Sequence, residues 1–527
     1  MVLQTHDKRK AERTNWDNTW DEIAYLMLPS QTGFITEFVP GEEQRWSHRF
    51  DSTAMFANET VSNHIHMSLM NPATTWLEMK FTDPEIQQSD EAKEWAQDTT
   101  KRMLSAYAIS NFDGEANTLL QGLNAFGTAT MDINFQFGRH GNFELIFEGT
   151  KLSNCTFDID AQKRIDTKVT EHVFTAKQAD ELFDYDFEDK KEIKVIKLCR
   201  PNPDFEIDSL DPKKRDYLVQ WCYNKEIIKD ESAYEKPFIA VRAGKSDYEP
   251  IYGEGFGVKA LCDTRAINAT KRREARGHEK AIDPPLVASA NAIMSDLHTE
   301  AGGVTIMRNP RDIGELPGRM NMEIINFKGE EIRDQINKTY KIDQLIVPER
   351  KGQNPATATE IQVRYEQSQR TLGAMVGRIK SEWLIPMHER VFGVMLRNGQ
   401  LLPIPDELKG LETEVVFTGP LSKAQTSNDA VAGERAAQLV MGVGEIAPEA
   451  TMVIDWAKMI RGIINQYGMP AEWVRSEDEV KAMQAEQQKA AQAQAEQENA
   501  MAGAQVEEQQ AIATTANVEA MSQVRGI

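Results

Sequence analysis

The stretch Asp113-Gly-Glu-Ala-Asn-Thr-Leu-Leu-Gln-Gly-Leu-Asn-Ala-Phe126-Gly127-Thr-Ala129-Thr-Met131-Asp-Ile133-Asn-Phe135-Gln-Phe137 changes its period half way. Asp113 to Phe126 reads as a helix, and Gly127 stands where a helix end favours a residue free to turn left-handed. Beyond it Ala129, Met131, Ile133, Phe135 and Phe137 alternate with Thr130, Asp132, Asn134 and Gln136, the two-residue period of a half-buried strand. Gly138 to Gly141 reads as a turn into a partner strand that carries Phe143, Leu145 and Phe147. Upstream, Trp16, Trp20, Ile23, Ala24 and Met27 recur at helical spacing until Pro29. A second helix is expected from Asp51-Ser52, with Met55, Phe56, Ile65 and Leu69, to Asn71-Pro72. A third is expected from about 90 to 108, with Trp95, Met103 and Tyr107 inward. Downstream, strands are expected at about 151–160, 166–174, 192–200, 214–223 and 237–242. One helix, 176–183, interrupts them behind the capping box Thr175-Ala-Lys-Gln178. Successive strands with short turns predict an antiparallel sheet, so residues 1–250 read as α+β.

The second half is mainly helical. After Gly253-Glu-Gly-Phe-Gly257 a helix is expected to about Ile282. It is unusually polar: between 265 and 280, Arg265, Lys271, Arg272, Arg273, Arg276 and Lys280 oppose only Glu274 and Glu279. Asp283-Pro-Pro285 ends it. Residues 286–326, broken by Gly302-Gly303, Pro310, Gly314 and Pro317-Gly318, read as a small loop-and-strand unit. A helix resumes at about 329–346 with Ile332, Ile336 and Tyr340 on one face, and Val347 to Ala356 is irregular. Thr357-Ala-Thr-Glu360 is a capping box for the strongest helix of the chain. Ile361, Tyr365, Leu372, Met375, Ile379, Trp383, Met387, Val391 and Met395 hold its period to Asn398-Gly399, with a kink expected at Pro386. Two more helices are expected at about 427–443 and 448–468. The tail, Ser476 to Ile527, has 13 Ala, 10 Gln and 8 Glu in 52 residues, which favours helix but leaves so thin an apolar stripe that it needs neighbours.

Composition narrows the function classes. The 527 residues amount to three or four domains' worth of chain at about 150 each, and 40% hydrophobic content excludes wholesale disorder. With 60 Lys+Arg against 82 Asp+Glu the net charge is −22, which argues against a tight grip on phosphates. Cys155, Cys199, Cys222 and Cys262 lie far apart, which excludes a disulfide framework and a Cys-rich zinc site and fits a reducing compartment. No apolar run approaches the roughly 18–20 residues of a membrane helix, and the first residues, Met1 to Thr14, carry no secretory h-region.

Tests for chemistry return structural readings. Arg242-Ala-Gly-Lys-Ser246 ends like a phosphate loop, but Ile239 stands where its first glycine belongs, so a turn between strands is expected. The glycines of Gly253-Glu-Gly-Phe-Gly257 suit close backbone approach. His64 and His66 point to different faces of a helix and do not make a metal pair. Asp158 and Asp160 could be paired carboxylates, but a strand's polar alternation accounts for them as well. Lys271-Arg-Arg273 is either a nucleic-acid contact or a solvated helix face. No catalytic residue, cofactor site or metal site emerges, and the expectation is that the protein is not an enzyme.

The order of these parts resembles the portal, or head-to-tail connector, proteins of T7-like short-tailed bacteriophages. The residues that carry the resemblance run nearly end to end: Arg13, Trp16, Trp20-Asp-Glu-Ile-Ala-Tyr-Leu26 and Pro29; Phe50-Asp-Ser-Thr-Ala54; Asn71-Pro72 with Trp76; Pro237-Phe-Ile-Ala-Val-Arg242 leading to Tyr252-Gly253; Asp283-Pro-Pro-Leu286; and Thr357-Ala-Thr-Glu-Ile361. The resemblance implies a ring, usually of twelve subunits, at one capsid vertex of the virion, assembled in the cytoplasm of the bacterial host. It implies a portal fold with a wing at 1–256, stem helices at 257–283 and 328–346, and a clip at 284–327. A tunnel loop follows at 347–356, then a long kinked helix that returns to the wing at 357–426, crown helices at 427–502 and a flexible tail at 503–527.

The implied partners are further copies of the chain, the terminase large subunit, the major capsid protein and scaffold, tail adaptor or nozzle proteins, internal core proteins, and double-stranded DNA without sequence specificity. No membrane is implied. The implied site residues are Arg350 and Lys351 in the tunnel loop, Arg272, Arg273 and Arg276 on the stem, and Arg308, Arg311 and Arg319 in the clip for terminase and tail docking. A mainly acidic channel would pass DNA without trapping it, while sparse basic rings would centre the duplex. Two other readings stand beside this one. A non-virion oligomeric scaffold or adaptor with a self-associating tail explains the composition but not the insertion between two helices. A nucleic-acid enzyme using Asp158 and Asp160 would need a divalent metal and a third carboxylate.

Overall fold

The computed structural model describes residues 2–35, 49–83, 86, 89–183, 185, 187, 192–207, 211–245, 251–282, 286–288, 306, 311, 313–315, 322–345, 373–408, 410, 413–417 and, in the tail, 480, 483, 485–486, 489 and 514–515. The chain divides into two compact units, one of residues 1–82 and 95–423, the other of 83–94 and 424–527. The expected helices at 427–443 and 448–468 and the capping box at Thr357 lie outside the described residues.

The first unit mixes helices with antiparallel sheets, as expected for α+β. Helices α1 (Val2–Met27) and α2 (Thr53–Leu69) precede strand β1 (Leu77–Phe81), and α3 (Asp90–Ile109), which belongs to this unit from Trp95 on, and α4 (Phe112–Phe126) follow. Three strands, β2 (Thr128–Phe137), β3 (Phe143–Thr150) and β9 (Phe238–Arg242), form one sheet in the order β3-β2-β9. Five others, β4 (Cys155–Ile159), β5 (Ile165–Phe174), β6 (Ile193–Pro201), β7 (Tyr217–Tyr223) and β8 (Glu226–Ala233), form a meander in sequence order. Helix α5 (Ala176–Leu182) starts with the expected capping box, and both of its reciprocal bonds are made. It covers one patch of the meander, where Ala179, Phe183, Ile193, Val195 and Tyr223 are buried together beside Trp221.

The decisive junction follows the expected pattern. Gly127 closes α4 with φ +90°, and its amide donates to the Leu123 carbonyl. Its carbonyl accepts from Ala243, and Thr128 Oγ1 accepts from the Gly253 amide at 2.8 Å, so three chain segments meet backbone to backbone. A Cβ on Gly255 would stand 2.5 Å from the Asn124 carbonyl oxygen, which is why only glycine fits there. Against this crossing Trp20, wholly buried, donates its indole N–H to the Phe126 carbonyl and meets Tyr252 edge-on. Arg13, also buried, donates to the carbonyls of Leu152, Ser153 and Cys155 and pairs with Asp17, tying α1 to the start of β4.

Three readings are corrected. The alternation in β2 does not mean half-burial: Thr128 to Ile133 are buried on both faces, because the strand's polar side meets the meander rather than water. Strands β1, β8 and β12 (Thr413–Phe417) have no counterpart in the sequence reading; β1 pairs with β12, more than 300 residues on, and a short run with a remote partner carries little local signal. The irregularity near Pro386 lies one turn earlier. Residues 373–378 are helical, Ile379–Leu384 form a π-helical turn, and Pro386 sits harmlessly in the first turn of the following helix, Ile385–Arg397. The π turn aims Glu382 at Arg242, whose backbone N–H and guanidinium both donate to it, at 3.0 Å and 2.6 Å.

The polar side of β2 buries Asp132, which sits between Lys168 of β5 and Lys197 of β6, all three shielded from solvent. Lys168 donates to Oδ1 and to Thr150 Oγ1, and Lys197 donates to Oδ2 at 2.8 Å while its ammonium stands 5.1 Å from the Trp221 ring centre. Burial alone would raise the Asp132 pKa; the two ammonium groups override it and hold the carboxyl well below the usual range. Burial likewise pulls Lys197 down, and Asp132 overrides it upward. A lowered carboxylate contributes stability that is present above its unfolded value of about 3.9 and lost as pH falls through the folded one. A raised lysine contributes stability that is present below about 10.4 and lost as pH rises through the folded value. Asp132→Ala is therefore expected to cost about 3–5 kcal/mol near neutral pH, since it strands two buried cations, with a penalty that eases as pH rises, because a buried lysine without its carboxylate gives up its proton more readily. Replacing the whole cluster (Asp132→Val, Lys168→Met, Lys197→Met) is expected to recover most of it. Chemical denaturation from about pH 5 to 9 checks both outcomes.

Candidate functional site

The part of the body that reaches away from its core is a pair of helices. Helix α6 (Phe256–Ile282) and helix α7 (Met322–Thr339) pack on each other. Between them in sequence, strands β10 (Leu286–Ala288) and β11 (Ile313–Glu315) pair antiparallel, with Val287 opposite Gly314. The loop-and-strand unit expected at 286–326 thus contains a real strand pair next to the two helix ends. The second helix starts at Met322 rather than about 329. It stops at Thr339, because Lys341 takes φ +62° and the chain re-enters a single turn, α8 (Ile342–Leu345).

Sequence and packing explain why only part of this pair is rooted. In α6, Gly257, Ala260, Leu261, Thr264 and Ile267 are buried; beyond them only Gly277 is. Among the α7 side chains described, Gly329 and Ile336 are buried, followed by Tyr340, whose ring meets Phe256 at a tilt with centres 5.7 Å apart and whose hydroxyl reaches the Met27 sulfur. Polar ties complete the root. The Arg333 guanidinium donates to Asp51 Oδ2 at 2.8 Å and 3.0 Å, while Asp51 Oδ1 caps Thr53 at the start of α2. Burial would raise the Asp51 pKa, but the Thr53 and Arg333 hydrogen bonds bring it down. Arg265 makes a two-pronged pair with Glu22 of α1, and Asn268 accepts from the Phe50 amide at 2.7 Å.

Above the root the surface becomes basic. Arg272, Arg273 and Arg276 are all exposed, and no ion pair is recorded for them among the described residues, whereas Lys271 pairs with Glu274 at 2.7 Å. Arg311 is exposed; Arg308, Arg319, Arg350 and Lys351 lie outside the described residues. The three arginines expected on the stem thus share one solvent-facing half-helix. Sequence reasoning did not identify Asp51, Glu22 or Arg333 as the groups that hold these helices. Each sits in an ordinary polar position, and its partner is more than 200 residues away.

The motifs weighed for chemistry are occupied by structure. Asp158 accepts from Arg9 at 2.6 Å, and Asp160 accepts from the Gln162 and Arg164 amides and the Arg164 side chain in a turn. His66 is buried beside Asp113 at 3.1 Å and His64 is half-buried, and burial lowers both pKa values. Lys245 bridges to Gly253 at the foot of β9, where the phosphate-loop look-alike falls. Among the described residues no group of three or more His, Cys, Asp or Glu side chains could hold a metal ion, and no helix is long and apolar enough to cross a membrane.

Residues 1–474 match the family described as bacteriophage head to tail connecting protein. The chain is 25% identical over 489 residues to a "Probable portal protein" of Bordetella phage BPP-1, covering 86% of this chain and 84% of that one. It is 21% identical over 521 residues to the "Portal protein" of Salmonella phage epsilon15, covering 93% and 91%. A family match over residues 1–474, together with a body that roots a helix pair carrying a strand pair, places this chain in the bacteriophage head-to-tail connecting protein family, as a structural connector rather than an enzyme.

Proposed function

We propose that the chain forms a closed ring, of twelve copies by resemblance, at one capsid vertex of the virion, and that duplex DNA passes through it during packaging and ejection. The observation that carries this reading is the partly rooted pair α6 and α7 with the β10–β11 strand pair between them. Two helices with polar outer halves cannot make a core alone, and a head-to-tail contact repeated by rotation supplies the missing partner and closes when the rotation does. In this reading the wing is residues 1–256, the stem 257–283 and 328–346, the clip 284–327, the tunnel loop 347–356, and the crown 427–502. The clip side docks terminase during filling and tail adaptor proteins afterwards; the wing faces the major capsid protein. No base-specific contact is needed, since the channel must pass every sequence. The −22 charge keeps a ring of copies from holding DNA fast.

Electron microscopy of the purified full chain is the direct test: rings with a central hole are expected. Monomers or dimers at every concentration would favour the scaffold reading instead. Reversal of the exposed stem charges (Arg272→Glu, Arg273→Glu, Arg276→Glu) is expected to leave the thermal midpoint within about 2 °C, as for surface substitutions. The same variant is expected to reduce ring yield or packaged DNA at least several-fold; unchanged assembly and packaging would make that surface inert.

The tunnel-loop pair has a separate test. Pro348, Gly352 and Pro355 keep either flanking helix from running through the loop, and Arg350 and Lys351 can then meet phosphates as point charges. Arg350→Ala with Lys351→Ala is expected to leave rings assembled and to change packaging rate and DNA retention, more at low salt than at moderate salt. Wild-type behaviour at every salt would take the loop out of the DNA path.

A further inference from the structure

The imidazole of His388, on the late helix Ile385–Arg397, is wholly buried in a setting that suits a neutral ring and does not answer a charged one. Its Nδ1 lies 2.7 Å from the Tyr107 hydroxyl of α3, a contact between groups 281 residues apart. Its Nε2 is shielded from solvent and has no hydrogen-bond partner among the described residues. Rings close the rest of the cage. Trp76, just ahead of β1, stands 5.3 Å from the imidazole centre, Phe417 of β12 stands 5.4 Å away, and Tyr107 meets it edge-on at 5.4 Å. Trp76 and Tyr107 pack in turn on Phe112 of α4. One side chain thus joins the late helix to α3, to the entry of β1 and to β12, the strand with which β1 pairs. Three histidines are fully buried among the described residues, and the other two have a carboxylate: Glu171 is 2.9 Å from His6 and Asp113 is 3.1 Å from His66. His388 has a phenol.

The charged groups on the surrounding elements are engaged elsewhere. On the late helix Arg390 pairs with Glu235 at 3.0 Å and Glu389 is exposed. On α3 Asp98 holds Arg102 at 2.6 Å, and on β1 Glu78 and Lys80 stand 3.3 Å apart. Glu414 of β12 is exposed, and Asp113 of α4 serves His66. Lys380, 5.9 Å from the Phe417 ring centre, has the wrong sign. Burial therefore pulls the His388 pKa down, to about 3. In the neutral ring Tyr107 answers Nδ1 whichever nitrogen carries the proton. In the charged ring both nitrogens donate, and Nε2–H has no acceptor. The aromatic faces offset only part of that cost. A histidine lowered in the fold contributes stability that is present above its unfolded value of about 6.5 and lost as pH falls towards the folded one. We propose that the His388–Tyr107 pair is an acid-operated lock: a proton taken up by His388 parts the late helix and the β1–β12 pair from α3 before the rest of the body opens. The proposal does not depend on the ring reading.

The test is backbone hydrogen exchange, read by mass spectrometry on the full chain from about pH 4.5 to 8 and corrected for the intrinsic pH dependence of exchange. Peptides from the second half of α3 and from the late helix are expected to open more readily as pH falls below about 6.5. Their opening constant should rise by up to about tenfold per pH unit, the signature of one proton. Peptides from the buried first half of α6 are expected to hold steady over the same range. His388→Asn keeps an amide oxygen for the Tyr107 hydroxyl and removes the titrating ring. It is expected to abolish the acid slope in the α3 and late-helix peptides, whatever its level of protection at pH 8. A variant that retains the wild-type slope would overturn the proposal. So would unsubstituted chain in which every peptide opens together, since that is global acid unfolding. A second measurement needs no variant: exchange at the imidazole C2 carbon of the unsubstituted chain, resolved residue by residue. His388 is expected to titrate at least about one pH unit below the ordinary imidazole value of about 6.5, and titration at that value would remove the lock.

Discussion

One carboxylate joins the three-stranded sheet to the five-stranded one. Asp132 extends from the three-stranded sheet into the five-stranded one and takes a lysine from each of two neighbouring strands there. The geometry leaves one positive charge in excess inside the protein. The neighbouring rings of Trp221 and Phe238 and the Thr150 hydroxyl offset part of it. Such a cluster is not a cheap source of stability, because three groups lose water to form it. It is specific, however: a one-residue slip in β2 would turn Asp132 to the other face and bury two unanswered ammonium groups. The register of β2 thereby fixes that of β3 and β9, which pair with it on either side.

The same register sets where α6 leaves the body. Strand β2 begins immediately after Gly127, β9 ends at Arg242, and the Gly253–Gly257 segment crosses both at backbone distance before the helix starts. Arg242 is locked to Glu382 of the π turn, so the late helix is pinned to the same strand end. A shift of β2 would displace the root of the helix pair as well as the sheet. The root then ties to α1 and to the chain just before α2: Arg265 and Asn268 of α6 hold Glu22 and the Phe50 amide, and Arg333 of α7 holds Asp51.

Much of this was legible in the residues. Period and turn chemistry located α4, the β2–β3 hairpin, α5 with its capping box, and the span of α6, because each is decided by contacts within a few residues. What escaped was decided at long range. Asp132 reads as an ordinary polar alternate of a strand, and nothing near Lys168 or Lys197 says that both meet it. Strand β1 owes its existence to β12, and the π turn before Pro386 answers Arg242, which lies 140 residues upstream of Glu382. For the candidate site, the basic half of α6 was plain in composition, but its exposure follows from burial thinning to Gly277 alone beyond Ile267, and that depends on α7 arriving beside it.

The energetics of that half-helix bear on the proposed role of its charges. Arg272 and Arg276 stand four residues apart on one face, where like charges cost an isolated helix about 0.2–0.5 kcal/mol. The helix dipole favours a cation only in the last turn, which accounts for Lys280 but not for Arg272 or Arg273. Arg265, lower on the same helix, is used in a bidentate pair, while no ion pair among the described residues holds the three above it. A chain with a surplus of 22 acidic groups has many candidates to answer them, and none of the described ones does. In the proposed ring, such a positive surface would meet negative charge supplied from elsewhere: the acidic flank of the next copy, or phosphate passing by. These two sources differ in salt dependence, since a pair buried between subunits is screened far less than a charge facing a moving polyanion.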